Sequence, residues 1–170
     1  MHNPPGNRIR LYAEKDCYFM LKVGDDAPDF EGLTDENKKV TLKELVSGNN
    51  LVLYFYPKDE TPGCTAEACS FRDEWDDLIK MDATVVGVSS DSVESHKKFK
   101  ENRKLPFTLV SDPDKRIRKL YGATGMLIPP RITYVISRER KIVHVYNSQM
   151  NAKNHVKEAM EALKTIQVQK

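Results

Sequence analysis

A cysteine set behind a polar turn, with a proline, a threonine and a second cysteine around it, is the most reactive grouping this sequence offers. In the stretch LVLYFYPKDETPGCTAEACSFRDEW, Leu51 to Trp75, the residues Pro57, Thr61 and Cys64 are spaced P-x-x-x-T-x-x-C, and Cys69 lies five positions after Cys64. The run Leu51 to Tyr56 is apolar, Lys58 to Gly63 is a polar turn, and the residues from Cys64 onward read as a helix. Cys64 then stands at a strand-to-helix junction, where unpaired backbone N–H groups and the positive end of the helix favour a thiolate. Each neighbour has a task if that thiolate attacks a small electrophile. Pro57 shields the sulfur and fixes the turn, the Thr61 hydroxyl accepts a hydrogen bond from a bound oxygen or donates one to it, and the N–H groups after Gly63 stabilise developing negative charge. A cation is still needed. Arg131, after Ile128-Pro129-Pro130 at the start of a predicted strand, offers a guanidinium that favours the thiolate and orients an oxygen substrate.

Cys69 adds a second kind of chemistry. Five positions along an ideal helix place it about 140° around the axis and ~8.7 Å away between Cα atoms, whereas a disulfide needs less than about 7 Å. If Cys64 and Cys69 bond, the first turns of the helix must unwind or shift, and oxidation becomes a conformational switch. Other readings stand beside this one. A buried cysteine is commonly a small core residue. C-x-x-x-x-C lacks the close spacing and the second Cys/His pair of a structural zinc site, and the four histidines are scattered. Arg131 taken alone reads as a surface or ion-pair arginine, Glu67 and Arg72 as a solvated face or local ion pair, and Trp75 as core.

The elements that would position these residues alternate. Residues 1–19 hold prolines and little periodicity and read as an extension outside the core, with residues 20–170 as one domain. Lys22 to Phe30 is a turn-rich entry, and Val40 opens a short helix in which Thr41 and Glu44 have capping-box spacing. The apolar run before Pro57 and Ala83 to Ser90 are predicted strands buried on both faces. Asp91 starts a helix to about Arg103, Phe107 to Val110 is a strand, and Asp112 to Tyr121 is a short helix ended by Gly122. Arg131 to Ser137 and Lys141 to Tyr146 form a hairpin. A last helix buries a stripe of Val156, Ala159, Met160, Leu163 and Ile166. Strands alternating with helices predict an α/β three-layer sandwich with a central mixed sheet flanked by helices.

Composition narrows the class of function. With 27 basic and 25 acidic side chains in 170 residues, the net charge of +2 is too even for a nucleic-acid groove or a polybasic membrane patch. No apolar run reaches the roughly 20 residues that span a bilayer, so a soluble, cytoplasmic protein acting on small neutral partners is expected. Three cysteines are too few for a secreted disulfide framework.

PKDETPGCTAEACSFRDEW, the preceding LVLYFY and the later PRITYVI closely resemble the peroxiredoxins, specifically the peroxiredoxin Q or bacterioferritin comigratory protein subfamily, from about Met20 to the last helix. The resemblance implies a thioredoxin-like fold and thiol-dependent reduction of hydrogen peroxide and organic hydroperoxides, with no metal, haem or flavin. It matches Cys64 to the peroxidatic cysteine, Cys69 to the resolving cysteine, and Pro57, Thr61 and Arg131 to the remaining active-site positions. It further implies thioredoxin or a similar dithiol as reductant, and a monomer or weak homodimer. Residues 1–19 have no counterpart in the pattern; a native start at Met20 would remove Cys17. Two rival readings stand: a thiol-disulfide exchanger, which normally uses C-x-x-C where the spacing here is wider, and a redox-sensing or chaperone-like binding protein that uses the same cysteine switch with little turnover.

Overall fold

The computed structural model describes residues 21–125 and 129–168. The extension over residues 1–19, Cys17 and the alternative start at Met20 lie outside the described residues, as does the middle of the Ala123 to Pro130 segment. The strands β1 (Glu31–Thr34), β2 (Lys39–Thr41), β3 (Asn50–Phe55), β4 (Ala83–Ser89), β5 (Thr108–Ser111), β6 (Ile132–Ile136) and β7 (Ile142–Asn147) form one sheet in the order β2-β1-β5-β4-β3-β6-β7. β3, β4 and β5 run parallel, and every other neighbouring pair is antiparallel. The helices are α1 (Leu42–Leu45), α2 (Pro62–Asp73), α3 (Trp75–Lys80), α4 (Val93–Arg103), α5 (Arg116–Leu120) and α6 (Ala152–Val168). A mixed sheet between helical layers is the thioredoxin-like architecture expected.

β3 is the spine. All of its residues are buried, because helices cover both faces of the sheet at its centre. Leu51, Leu53 and Phe55 enter one core with Ile117 of α5, while Val52 and Tyr54 enter the other with Cys64, Ala68 and Phe71 of α2 and Val156, Ala159 and Leu163 of α6. Met160 and Ile166 complete the α6 stripe as partly buried side chains. The strand stops at Pro57, which has no N–H to give a ladder. The chain then turns into α2, and Cys64 points back onto the sheet it has just left.

Several local expectations need correction. Val40 lies in β2 rather than opening a helix, since it pairs with Gly32 of β1 in a short hairpin turned at Asn37 (φ +59°). The capping box holds at the expected residues, with the helix starting at Leu42: Thr41 accepts from the Glu44 N–H at 3.2 Å and donates to Glu44 Oε1 at 3.1 Å. Ser92, not Asp91, caps α4 by accepting from the Ser95 N–H at 3.1 Å. Asp91 is drawn inward by the Asp59 N–H at 2.8 Å and the Ser89 hydroxyl at 2.6 Å. α5 is shorter than its expected span because the Asp112 carboxylate accepts from the amides of Ile117 and Arg118, holding residues 112–115 as a turn. Trp75 is half-buried at the start of α3 rather than in the core, its ring 6.1 Å from that of Phe107.

Gly87 makes room for the layer that carries α2. It pairs with Tyr54 across β3 and β4, and a Cβ there would lie 2.7 Å from Tyr54 Cζ. The Tyr54 ring stacks on Phe71 of α2 at 4.8 Å, so it has little room to retreat. Gly87→Ala is therefore expected to destabilise the fold by about 1–3 kcal/mol through overpacking, read as a lower urea midpoint; an unchanged midpoint contradicts this packing.

Candidate active site

α2 starts with Pro62 in its first turn, where a missing N–H costs nothing, behind an extended Thr61 (φ −76°, ψ 153°). The Thr61 hydroxyl donates to the Lys58 carbonyl at 2.8 Å and does not cap the helix. Its hydrogen is spent, so what it offers a bound molecule is its lone pairs. The amides of Gly63 and Cys64 receive no side-chain cap and face the end of the helix where negative charge is favoured. The helix thus begins two residues earlier than the sequence suggested, which puts Cys64 inside its first turn rather than at its edge.

Cys64 is 1% exposed, and Arg131 reaches it from the residue just before β6. Ile132 pairs with Phe55, so Arg131 stands just past the end of β3, beside the turn that begins at Pro57. One arm of its guanidinium, Nη2, donates to Cys64 Sγ at 3.4 Å, and the other, Nη1, to Glu67 Oε1 at 3.0 Å. Gly63 allows this approach, for a Cβ there would lie 3.0 Å from Nη2. Burial works against the charge of Arg131, but Glu67 and Cys64 outweigh it and lift its pKa above the ordinary arginine value. Pro57 is half-buried at the rim, and Cys69 is half-buried on the same helix, with both thiols free. The structure therefore gathers Pro57, Thr61, Cys64 and Arg131 at one place and leaves Cys69 further along α2.

Glu67 corrects the expectation of a solvated face. It is wholly buried, on the stripe formed by Cys64, Glu67, Ala68 and Phe71. Burial pushes its pKa up to about 8, against the pull of Arg131. Its second oxygen, Oε2, has no hydrogen-bond donor and lies 3.6 Å from His155 Nδ1. His155 Nε2 faces the Ser148 carbonyl at 2.8 Å and so carries the proton, leaving Nδ1 to accept from the Thr133 hydroxyl at 2.8 Å. Burial holds the ring neutral, with its pKa lowered to about 4. Arg72, by contrast, pairs with Asp73 as a local ion pair and also donates to the Arg103 carbonyl at 2.6 Å.

A second buried network ties down the turn before α2. Asp59 accepts from the Tyr56 hydroxyl at 2.5 Å and the Ser95 hydroxyl at 2.8 Å, and lies 2.7 Å from His96 Nδ1. His96 Nε2 faces the Val110 carbonyl at 3.0 Å and must donate to it, so the Nδ1–Asp59 contact holds one shared proton. The Asp59, Asp91 and His96 ligand atoms lie within 4.8 Å of one another, the one such grouping of metal-binding types among the described residues. All three already have partners within the protein, so the cluster serves as an anchor between the turn, β4 and α4. Sequence reasoning missed Glu67, His155, Asp59 and His96. Only Glu67 had a local signal, the helical spacing from Cys64 to Phe71.

Residues 23–145 match the model of the AhpC/TSA family. The chloroplastic peroxiredoxin Q of Arabidopsis thaliana is 43% identical over 147 residues, covering 85% of this chain and 68% of that one. Among solved structures, peroxidoxin BcpB from Mycobacterium tuberculosis is 36% identical with a TM-score of 0.83, over 87% of this chain and 99% of that one. The Xanthomonas campestris bacterioferritin comigratory protein, whose trapped intermediate and ligand complexes concern alkyl peroxide reduction, is 30% identical with a TM-score of 0.76, over 81% and 91% of the two chains. Sequence match, shared fold and a buried thiol facing an arginine agree, and the chain belongs to the AhpC/TSA family, in its peroxiredoxin Q and bacterioferritin comigratory protein branch.

Proposed function

We propose that this thiol-dependent peroxidase reduces hydrogen peroxide and organic hydroperoxides with Cys64 as the attacking thiolate, Cys69 as the resolving thiol, and thioredoxin or a similar dithiol as reductant. The observation that carries the reading is the Arg131 guanidinium lying 3.4 Å from a buried sulfur in the first turn of α2. In the first step the Cys64 sulfur bonds the terminal oxygen of the peroxide and the O–O bond breaks. Cys64 leaves as a sulfenic acid, and the departing oxygen takes a proton to become water or an alcohol. Arg131 and the free amides of the helix end hold the negative charge that passes from sulfur to oxygen. Thr61, with its hydrogen engaged by Lys58, accepts the peroxide O–H and so orients it. Pro57 limits water at the rim.

In the second step the Cys69 sulfur displaces hydroxide from the sulfenic acid, an S–S bond replaces the S–O bond, and water leaves. The dithiol reductant then returns two electrons by exchange. Both cysteines lie within α2, so this step requires the helix to open. A monomer or weak homodimer is part of the proposal, supported by the scatter of the large exposed apolar side chains described, Val23, Leu33, Ile79 and Met150. We place the activity in a reducing compartment, the cytoplasm in the first instance; the Arabidopsis relative is named as chloroplastic.

Turnover with thioredoxin and its reductase tests the cycle. Cys64→Ser should abolish peroxide consumption, while Cys69→Ser should still consume about one equivalent and then stop; a Cys69→Ser enzyme with unchanged thioredoxin-supported turnover removes Cys69 from the role. Arg131→Met should slow the reaction of Cys64 with peroxide by about 10²–10³-fold, the scale for losing one oxyanion-type donor, and a smaller loss than tenfold contradicts its place.

The buried acid and imidazole set a pH signature. The Glu67 carboxyl is raised from 4.5 to about 8, so stability is lost as pH rises through that window. His155 is lowered from 6.5 to about 4, so stability is lost as pH falls through its window. Each slope is about 1.4 kcal/mol per pH unit. The two contributions oppose one another between the ordinary values and leave Glu67 alone above pH 6.5. Denaturant unfolding should show the parent losing about 2 kcal/mol from that point to pH 8, and Glu67→Gln losing little; equal slopes in both would contradict the buried-acid assignment.

A further inference from the structure

Arg118 of α5 is the largest of the wholly buried side chains, 1% exposed. A guanidinium taken out of water normally brings a carboxylate with it, because an unpaired buried charge is costly. Among the described residues no carboxylate forms an ion pair with this one. Its Nη1 donates to the Ala123 carbonyl at 3.2 Å and its Nη2 to the Tyr56 carbonyl, while Nε has no partner. The Phe55 ring lies 5.9 Å from its central carbon. All of these are neutral groups. They are also well placed: Tyr56 precedes Pro57, and Ala123 begins the segment that leads to Pro130 and Arg131.

The charged groups around Arg118 come from four elements. Asp112 precedes α5, Asp91 follows β4, Tyr56 follows β3, and Cys64 stands on α2. Asp112 gives its oxygens to the Ile117 and Arg118 amides, and burial raises its pKa. Asp91 is held by the Asp59 N–H and the Ser89 hydroxyl. The Tyr56 phenol, raised well above its ordinary pKa by burial, stays neutral. Burial lowers the pKa of Arg118 itself, and the field of Cys64 is among those that resist the change. Asp112 gives the strongest opposing field, and the Cys64 sulfur adds to it once it is ionised.

We propose that Arg118 is a second cation of the site, a positioning residue that fixes the Tyr56–Pro57 and Ala123 backbone and holds the Cys64 thiolate by its charge. It acts through the two backbone carbonyls it holds and through its charge, while Arg131 donates to the sulfur directly. This inference rests on the reading of Cys64 as the nucleophile. The other groups facing Cys64 are Arg131 just before β6, Tyr54 from β3 and, through Arg131, Glu67 from α2 with His155 of α6 behind it. None of them is hydrogen-bonded to Arg118.

The test is the pH profile of two reactions of Cys64, alkylation by iodoacetamide and oxidation by hydrogen peroxide, with Cys17 and Cys69 both replaced by Ser. Arg118→Met should slow alkylation at neutral pH by about tenfold, displace the profile upward by about one pH unit, and recover the parent rate at high pH. Arg118→Lys should keep the alkylation profile, since the charge remains, yet stay several-fold slower with peroxide at every pH, since the two-armed hold on the turn is lost. Arg118→Gln, which keeps a donor for the Tyr56 carbonyl, repeats the charge test if the Met variant does not fold. Neutral variants that alkylate on the parent profile overturn the inference, as does a Lys variant displaced as far as they are. If Cys64 of the parent itself ignores peroxide, the nucleophile reading fails instead.

Discussion

A guanidinium fixed between a sulfur and a carboxyl, with almost no water around it, is the constraint to which the rest of the structure answers. Arg131 donates with one arm to Cys64 and with the other to Glu67, and all three are buried. Charge held out of water must find partners in fixed places. The helix start, the Gly63 position, the register of β6 against β3 and the buried face of α2 all satisfy that need. Moving any of them breaks a contact that no solvent replaces.

If Cys64 and Cys69 bond as proposed, the same site must come apart. Cys69 shares α2 with Cys64, and a bond between them is incompatible with an intact helix over that span. The structure divides the labour accordingly. The turn before α2 is anchored by Asp59, His96, Tyr56 and Asp91, and β3 behind it is buried on both faces. α2 itself buries one stripe of side chains, Cys64, Glu67, Ala68 and Phe71, is tied at its far end by Arg72 to the Arg103 carbonyl, and ends at Glu74 before α3 begins. Opening α2 would carry Glu67 away from Arg131 and into water, where its proton is held less tightly, so the opening is linked to proton release.

Much of this was legible in the chain because it is local. The apolar run, the proline stop and the cysteine at a helix start are neighbours in sequence, and their residue types name their chemistry. Arg131 was legible only with the motif in view, since sixty-seven residues separate it from Cys64 and β6 alone brings them together. Glu67 was misread because a charged residue near a helix start usually faces water; its spacing from Cys64 put it on the buried stripe all the same. His96, His155 and Arg118 gave no local sign, being placed by α4, α6 and α5 against strands distant in sequence. The β1–β2 hairpin escaped because strands of four and three residues with mixed burial show no clean alternation.

Amide hydrogen exchange across Pro62–Asp73, read from non-reducing peptides before and after one equivalent of hydrogen peroxide, tests the central claim most directly. The account predicts a Cys64–Cys69 link, the loss of two hydrogens, and lost protection over those residues while β3 keeps its own. A link formed with the helix still protected would contradict the account, and a Cys64 left unchanged by peroxide would remove its foundation.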